Sequence, residues 1–265
     1  MKAVLKAVEK NAAKTIRVAV LNKSGNVGKT TIVSCIIAPR LNNLVKVAYV
    51  DLTNAMPDVI PEPIGAIYGA HEFADVENEL LQAKRNDQSM VVDFGASDYN
   101  TTLEMLAQYT LFKKAVDLFV IPCLTEGKIQ EDTIAVIDNL MDLGIDISKV
   151  RVLFNQVAMR DKKNIRRTFS AIFDKQAELA EDGGKTFGAS EQMVMYEAEV
   201  FKQLGKLKMP LAKVLADETD YEAAIMAEPD EDEKFYLSRL DSVRGLAQNT
   251  QKTINAVFES LVEGV

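Results

Sequence analysis

The sequence predicts an α/β protein with a doubly wound, mostly parallel sheet, in which helices cover both faces. Apolar runs of strand length alternate with helical patterns from residue 16 to residue 180. The strand runs are continuous and β-branched, which is expected of strands buried on both faces of a parallel sheet. This alternation implies right-handed crossovers between parallel strands, and therefore a doubly wound domain.

Successive strand–helix units account for this region. The apolar runs predict strands at 16–22, 45–51, 90–93, 118–122 and 150–155. The helical patterns predict helices at 30–41, 72–85, 101–114, 129–143 and 163–180. Beyond this region the pattern is less regular, and residues 193–196 are one further candidate strand.

The C-terminal part of the chain has a different composition. Residues 217–233 contain nine acidic residues and no basic one, so we expect a solvated connector there. A long helical pattern begins at Phe235, and we expect this helix to pack on the domain or to lie at a dimer interface. The predicted organisation is an N-terminal helical extension at 1–15, a domain at 16–216, and the connector with its long C-terminal helix at 217–265.

Composition excludes several classes of protein. The chain has 265 residues, and no apolar run in it approaches the roughly 18 residues of a membrane span. A net charge of −8 argues against a uniformly basic surface for nucleic acid. One histidine excludes a histidine-rich metal site, and two distant cysteines fit a reduced, cytoplasmic setting. The C-terminal helix lacks a basic amphipathic anchor, which argues against direct membrane binding.

A glycine-containing segment links the first predicted strand to the first predicted helix. It reads Lys-Ser-Gly-Asn-Val-Gly-Lys-Thr over residues 23–30. Glycines let the backbone point several N–H groups at one anion, and the helix N-terminus adds the positive end of its dipole. This context predicts the phosphate-binding loop of a P-loop NTPase fold, in which Lys29 reaches the β- and γ-phosphates and Thr30 ligates Mg²⁺. The strict pattern has glycine at the place of Lys23, and a strand–helix turn without a ligand is the alternative.

Two carboxylates end predicted strands close to this loop. Asp93 closes the run 90–92 and Asp51 closes the run 47–50. Each alone is also typical of a helix cap or a turn. Because the carboxyl ends of parallel strands meet at one edge of the sheet, we expect both acids near the loop. Asp93 would then hold Mg²⁺ through water, while the Gly95 amide approaches the γ-phosphate.

These stretches together resemble the ParA/MinD family of deviant Walker ATPases. The resemblance rests on the loop at 24–31, on Asp51 at its strand end, and on Asp-Phe-Gly-Ala-Ser at 93–97. Further stretches at 38–40, 121–122, 131–133 and 152–155 place the chain nearest to the StbB-like plasmid stability proteins, a branch of that family. The resemblance covers residues 16–209.

The resemblance implies a nucleotide-dependent switch. In this family ATP is held between two subunits, the dimer binds DNA, a membrane or a partner protein, and hydrolysis releases it. Asn155 matches the position where the family reads the adenine edge, although an asparagine there is also typical of a turn. The implied catalytic residues are Lys29, Asp51 and Asp93, and the implied metal-binding residues are Thr30 and Asp93. The implied nucleotide-binding residues are Lys23, Ser24, Gly25, Asn26, Val27, Gly28, Lys29, Thr30, Thr31, Gly95 and Asn155.

Two positions depart from the family pattern. Ser24 stands where the family has a second lysine, five positions before Lys29, and Lys23 is one place too early. Thr53 stands where the family has an aspartate that orients the attacking water. Phosphoryl transfer depends on positioning and charge stabilisation. We therefore expect these departures to slow hydrolysis more than they weaken nucleotide binding.

A basic cluster lies in this otherwise acidic chain. Arg160, Lys162, Lys163, Arg166 and Arg167 fall within eight residues, opposed only by Asp161. Helical spacing would place Lys163 with Arg167, and Lys162 with Arg166. The cluster is either a solvated helix face or a nonspecific contact for the DNA backbone.

Three functions fit these observations. The first is an ATP-dependent partitioning protein for plasmid DNA that forms a homodimer on ATP and works with a plasmid-encoded DNA-binding or adaptor protein. The second is a nucleotide-gated protein adaptor with little hydrolysis, which the departures at Ser24 and Thr53 favour. The third is a metabolic P-loop enzyme, for which the sequence offers no dedicated substrate motif.

Overall fold

The computed structural model describes residues 15–50, 65–96, 99–181 and 183–265, except for the side chains of Ile67 and Ala70. The predicted extension at 1–15 therefore lies outside the described residues apart from its last position. Asp51 and Thr53 also lie outside them.

Seven strands of the described chain form one sheet in which every neighbouring pair is parallel. They are β1 Arg17–Val20, β2 Leu44–Val50, β3 Gly65–Tyr68, β4 Ser89–Phe94, β5 Leu118–Cys123, β6 Val150–Val157 and β7 Val194–Tyr196. Their order across the sheet is β3-β2-β4-β1-β5-β6-β7. Because β1 is the central strand, the glycine-containing loop leaves the middle of the carboxyl edge of the sheet.

Helices cover both faces of the sheet. They are α1 at 29–40, α2 Phe73–Arg85, α3 Tyr99–Gln108, α4 Thr110–Ala115, α5 Gly127–Asp142, α6 Ile165–Thr168, α7 Ser170–Glu181, α8 Glu199–Leu207, α9 Leu211–Leu215, α10 Tyr221–Ala227 and α11 Glu231–Val262. One apolar core joins the sheet to α2–α7, and a second joins its other face to α1, α8, α9 and α11. The predicted doubly wound α/β fold with a long C-terminal helix is thus confirmed, and the strand–loop–helix at β1 and α1 makes it a P-loop NTPase fold.

Several element boundaries differ from those that the sequence predicts. The strand β3 was not predicted, because its four residues follow a proline-rich stretch and carry a glycine. The helix predicted at 101–114 is divided into α3 and α4. The helix predicted at 163–180 is divided into α6 and α7, and begins at Ile165. The acidic connector contains α10, whose first turn is capped by the side chain of Asp220.

The first helix is irregular along its length. It begins as one α-helical turn at Lys29–Thr31, continues as a π-helix over Ile32–Ile37, and ends as a 3₁₀ turn at Ala38–Arg40. Within it, the Ser34 hydroxyl donates to the Thr30 carbonyl at 2.8 Å. Wide turns of this kind occur often at functional sites, and here one α-helical turn separates the wide turn from the glycine-containing loop.

The long helix α11 packs along the face of the sheet that carries α1. Its buried residues recur at helical spacing and include Val243, Ala247, Ile254, Val257 and Leu261. Arg40 Nε also donates to Asn255 Oδ1 at 2.8 Å, so the end of α1 is attached to α11. No helix in the described ranges is both long and apolar enough to cross a membrane.

Candidate nucleotide site

The loop between β1 and α1 has the backbone that an anion-binding turn requires. Gly28 caps the helix with φ at +84°, and Asn26 also has a positive φ of 56°. A β-carbon built on Gly28 would lie 2.5 Å from Asn155 Nδ2, which is closer than atoms can approach. Glycine at this position therefore meets both a conformational and a steric requirement.

Lys29 is folded back over this loop. Its side chain is buried, with 8% exposure, and Nζ donates to the Ser24 carbonyl at 3.2 Å. This conformation keeps the ammonium group within hydrogen-bonding distance of the loop backbone, which could cradle a phosphate group.

Thr30 and Asp93 are brought together at the head of α1. The Thr30 hydroxyl donates to Asp93 Oδ2 at 2.7 Å, and Asp93 is 4% exposed. A hydroxyl and a carboxylate are the hard oxygen donors that Mg²⁺ prefers, and the ion usually completes its shell with water and phosphate oxygens. The described residues contain no cluster of three or more His, Cys, Asp or Glu that would hold a metal alone. The pair therefore fits a magnesium ion that arrives with a nucleotide.

Asn22 anchors the start of the loop, a role that the sequence did not reveal. The residue is 1% exposed, and its Nδ2 donates to the Pro122 carbonyl at 2.6 Å and to Thr133 Oγ1 at 3.2 Å. Its Oδ1 accepts from the Ser24 amide at 2.8 Å. The loop is therefore tied to the end of β5 and to α5.

Lys23 and Ser24 both contact Asp132 of α5. Lys23 Nζ lies 3.1 Å from Asp132 Oδ1, and the Ser24 hydroxyl donates to Asp132 Oδ2 at 2.7 Å. The hydrogen bond from Ser24 and the charge of Lys23 lower the pKa of Asp132. Both side chains are thus bound to α5.

Asn155 and Gln156 support the loop from the end of β6. Asn155 Nδ2 donates to the Val27 carbonyl at 2.9 Å, and Gln156 Nε2 lies 3.4 Å from the Asn26 carbonyl. The β6–β7 register shifts between Phe154 and Val157, and Gln156 has a positive φ of 53°. The amide of Asn155, expected to read a base, is thus used to hold the loop, while Gln156 lines the adjoining cavity.

A cavity of about 650 Å³ opens beside the loop. Its polar wall consists of loop residues 25–31, Asp93 and Gln156, and its apolar wall includes Phe201, Leu204 and Met209. Gly95 also lines it, but the Gly95 amide donates to the Val50 carbonyl at 2.8 Å. This corrects the expected use of that amide, which continues the sheet ladder instead of facing a phosphate.

Cys35 and Tyr49 line the same cavity on the side of α1 and β2. Burial raises the pKa of the Cys35 thiol. Burial, the charge of Asp93 and the nearby Cys35 raise the pKa of the Tyr49 phenol, so it is a neutral hydrogen-bond donor at physiological pH. Neither residue was predicted from the sequence to belong to the site.

The basic cluster lies at the same edge of the sheet as the loop, since it follows the carboxyl end of β6. All five basic side chains are exposed: Arg160, Lys162, Lys163, Arg166 and Arg167. The expected helical spacing is wrong for two of them, because Lys162 and Lys163 precede α6. Arg166 is bound to Glu191 at 3.0 Å and lies over the Phe173 ring at 4.7 Å, and the Lys162 ammonium lies over Tyr196 at 5.9 Å.

Comparison with known proteins gives likenesses of structure alone. No family model and no curated protein matches the chain. The MinD cell division protein of Aquifex aeolicus is 12% identical, with a TM-score of 0.48 over 89% of this chain and 97% of that one. A ParA family ATPase from Chlorobium tepidum TLS is 10% identical, with a TM-score of 0.47 over 88% and 98%. Apo McdA from Cyanothece is 13% identical, with a TM-score of 0.47 over 86% and 98%.

Proposed function

We propose that this protein binds ATP with Mg²⁺ in the cavity beside the loop and acts as a slow, nucleotide-dependent partitioning protein for plasmid DNA. The single observation that best supports nucleotide binding is the 2.7 Å hydrogen bond from Thr30 to Asp93 at the start of α1. This helix follows a loop in which Gly28 has a positive φ. The setting we propose is the cytoplasm, and the relationship we propose is with the StbB-like branch of the ParA/MinD family.

Different residues bind the phosphates, the magnesium ion and the base. The loop amides and Lys29 hold the phosphates, since the ammonium already contacts the loop backbone at Ser24. Thr30 and Asp93 hold Mg²⁺, which neutralises phosphate charge when it is bound. The apolar wall at Phe201, Leu204 and Met209 offers a surface on which a nucleobase packs. Asp51 keeps its predicted catalytic role.

Slow hydrolysis is part of the proposal. Ser24 donates to Asp132, and Lys23 is paired with the same carboxylate. These contacts support slow hydrolysis, because each side chain already has a carboxylate partner. We expect turnover below about 1 s⁻¹, and we expect Thr53→Asp to raise it.

DNA binding is proposed through a dimer. The basic cluster and the cavity share the carboxyl edge of the sheet, so two subunits joined across their nucleotides would bring two clusters to one side of the assembly. Contact with the phosphate backbone would be nonspecific, because the cluster offers charge without a reading motif. A plasmid-encoded DNA-binding or adaptor protein would direct the dimer to its cargo.

The alternative is a nucleotide-gated protein adaptor with little hydrolysis. The engagement of Lys23 and Ser24 with Asp132 favours it, because the loop then lacks a second cation over the phosphates. In that case Arg166, which is bound to Glu191, belongs to a solvated face and not to a DNA contact.

One experiment separates these functions. ATP turnover and sedimentation of the full chain are measured with and without plasmid DNA, at low salt and with Mg²⁺. Slow turnover with an ATP-dependent dimer that sediments with DNA supports partitioning. A dimer that neither binds DNA nor turns over supports the adaptor. A chain that does not bind ATP at all contradicts both.

A further inference from the structure

Tyr49 is a cavity residue whose hydroxyl group is buried and unpaired among the described residues. The residue lies near the carboxyl end of β2, is 4% exposed, and lines the cavity beside the loop. Its neighbours in β2 are apolar, and Val47, Ala48 and Val50 are all buried. Its hydroxyl oxygen is buried and has no hydrogen-bond partner within the described part of the chain.

The register of the sheet places Tyr49 beside Asp93. Val20 pairs with Asp93, and Asp93 pairs with Tyr49, so the three residues form one row across β1, β4 and β2. Residues in register on adjacent parallel strands point to the same face, about 4.8 Å apart. Tyr49 therefore lies next to Asp93, whose carboxylate accepts the hydrogen bond from the Thr30 hydroxyl.

A buried hydroxyl without a partner is unfavourable, and native proteins rarely leave one so. The ring alone would pack equally well as phenylalanine, because the face is part of the apolar core that includes Val47 and Val91. Tyr49 lines a cavity of about 650 Å³, so its unpaired hydroxyl offers a hydrogen bond to a group that binds there.

We propose that Tyr49 is a further ligand-binding residue of this site, and that its hydroxyl donates a hydrogen bond to an oxygen at the metal end of the bound nucleotide. The acceptor is a phosphate oxygen or a metal-bound water, which share this chemistry. The inference rests on the proposed binding of nucleotide and adds a residue that the loop motif does not contain.

The test is Tyr49→Phe in the full chain, with two measurements. Without ligand, the unfolding temperature stays equal or rises by up to about 2 °C, because no protein hydrogen bond is lost. With a non-hydrolysable ATP analogue and Mg²⁺, calorimetry gives an affinity about tenfold weaker, which is ~1.4 kcal/mol.

Tyr99→Phe is the matched control. Tyr99 is also buried, but its hydroxyl accepts from Asn139 Nδ2 at 3.3 Å, between α3 and α5. We expect the opposite pattern for this variant: a lower unfolding temperature without ligand, and an unchanged affinity.

Affinities measured with different nucleotides, and with and without Mg²⁺, identify the group that accepts the hydrogen bond from Tyr49. A loss with the triphosphate but not with ADP assigns it to the γ-phosphate, and a loss that requires Mg²⁺ assigns it to a metal-bound water. Equal affinity of Tyr49→Phe and the parent overturns the inference while the proposed function stands. A lowered unfolding temperature without ligand also overturns it, because the hydroxyl then has a protein partner. A parent that binds no nucleotide overturns the proposed function itself.

Discussion

Gly28 and Asn155 lie so close that a β-carbon on residue 28 would be 2.5 Å from the side-chain nitrogen of Asn155. That nitrogen cannot move away freely, because it donates to the Val27 carbonyl at 2.9 Å. The contact joins the end of the loop to the end of β6, although β5 lies between β1 and β6 in the sheet. It makes the shape of the loop depend on a residue far away in the sequence.

Gly28→Ala should therefore damage both the fold and the site. Strained backbone at a positive φ costs about 1–3 kcal/mol, and the clash with Asn155 displaces the loop. Urea unfolding measures the first effect and nucleotide calorimetry the second. Gly25→Ala is the control, since nothing lies within 4 Å of a β-carbon there, and its cost should stay below about 0.5 kcal/mol. Similar stability of the two variants would contradict the contact.

Lys29→Ala should abolish nucleotide binding and leave the fold intact. Removing a charge-assisted contact with phosphate lowers affinity by about 100-fold or more, measured by calorimetry with circular dichroism as the check on folding. Lys23→Ala should change affinity less than about threefold, because its ammonium is paired with Asp132. Equal affinity of Lys29→Ala and the parent would remove the central claim.

Asp93→Asn should uncouple magnesium from the nucleotide. The amide oxygen can still accept from Thr30, but the negative charge beside the metal position is lost. We expect the gain in ATP affinity on adding Mg²⁺ to fall by about tenfold, with affinity in EDTA nearly unchanged. If the Mg²⁺ dependence of Asp93→Asn matches that of the parent, the metal is held elsewhere.

The interaction of Asp132 with Ser24 and Lys23 should make stability depend on pH. A carboxyl whose pKa is lowered on folding stabilises the protein above its unfolded pKa of about 3.9, and this contribution is lost as pH falls through the lowered folded value. Asp132→Asn should therefore cost about 1 kcal/mol at pH 7 and almost nothing once the pH is below the lowered folded pKa of Asp132. Urea unfolding of both proteins across this range gives the difference, and a pH-independent difference would disprove the charge-based origin.

DNA binding should be electrostatic and centred on the basic cluster. Affinity should fall with salt with a log–log slope of about −0.9 per phosphate contacted, and only with ATP present. Replacing Lys163, Arg166 and Arg167 with alanine should weaken binding to all sequences alike. It should also flatten the slope by up to about 5, because a dimer loses six basic groups at about 0.9 each.

The control for this cluster removes the same charge at the opposite edge of the sheet. Lys84, Arg85 and Lys114 are exposed at the ends of α2 and α4, where the chain returns to the amino ends of the strands. Their replacement with alanine should leave the slope nearly unchanged. A parent that binds no DNA at low salt with ATP would make the adaptor the leading function.

The fold class and the glycine-containing loop could be predicted from the sequence because both are local patterns. The pattern consists of a strand, an eight-residue turn and the start of a helix in direct succession. Gly28, Lys29 and Thr30 are therefore recognisable without knowing where the rest of the chain lies. Continuous β-branched runs likewise indicate burial on two faces wherever the strand is placed in the sheet.

Tertiary structure alone decided which distant side chains meet that loop. Thr30 and Asp93 are separated by 63 positions, Ser24 and Asp132 by 108, and Val27 and Asn155 by 128. These contacts depend on the order β3-β2-β4-β1-β5-β6-β7, which results from long-range pairing and has no local signature. For the same reason the sequence showed Tyr49 only as one more residue of an apolar strand. Its position beside Asp93 exists only because β2 pairs with β4 in one register.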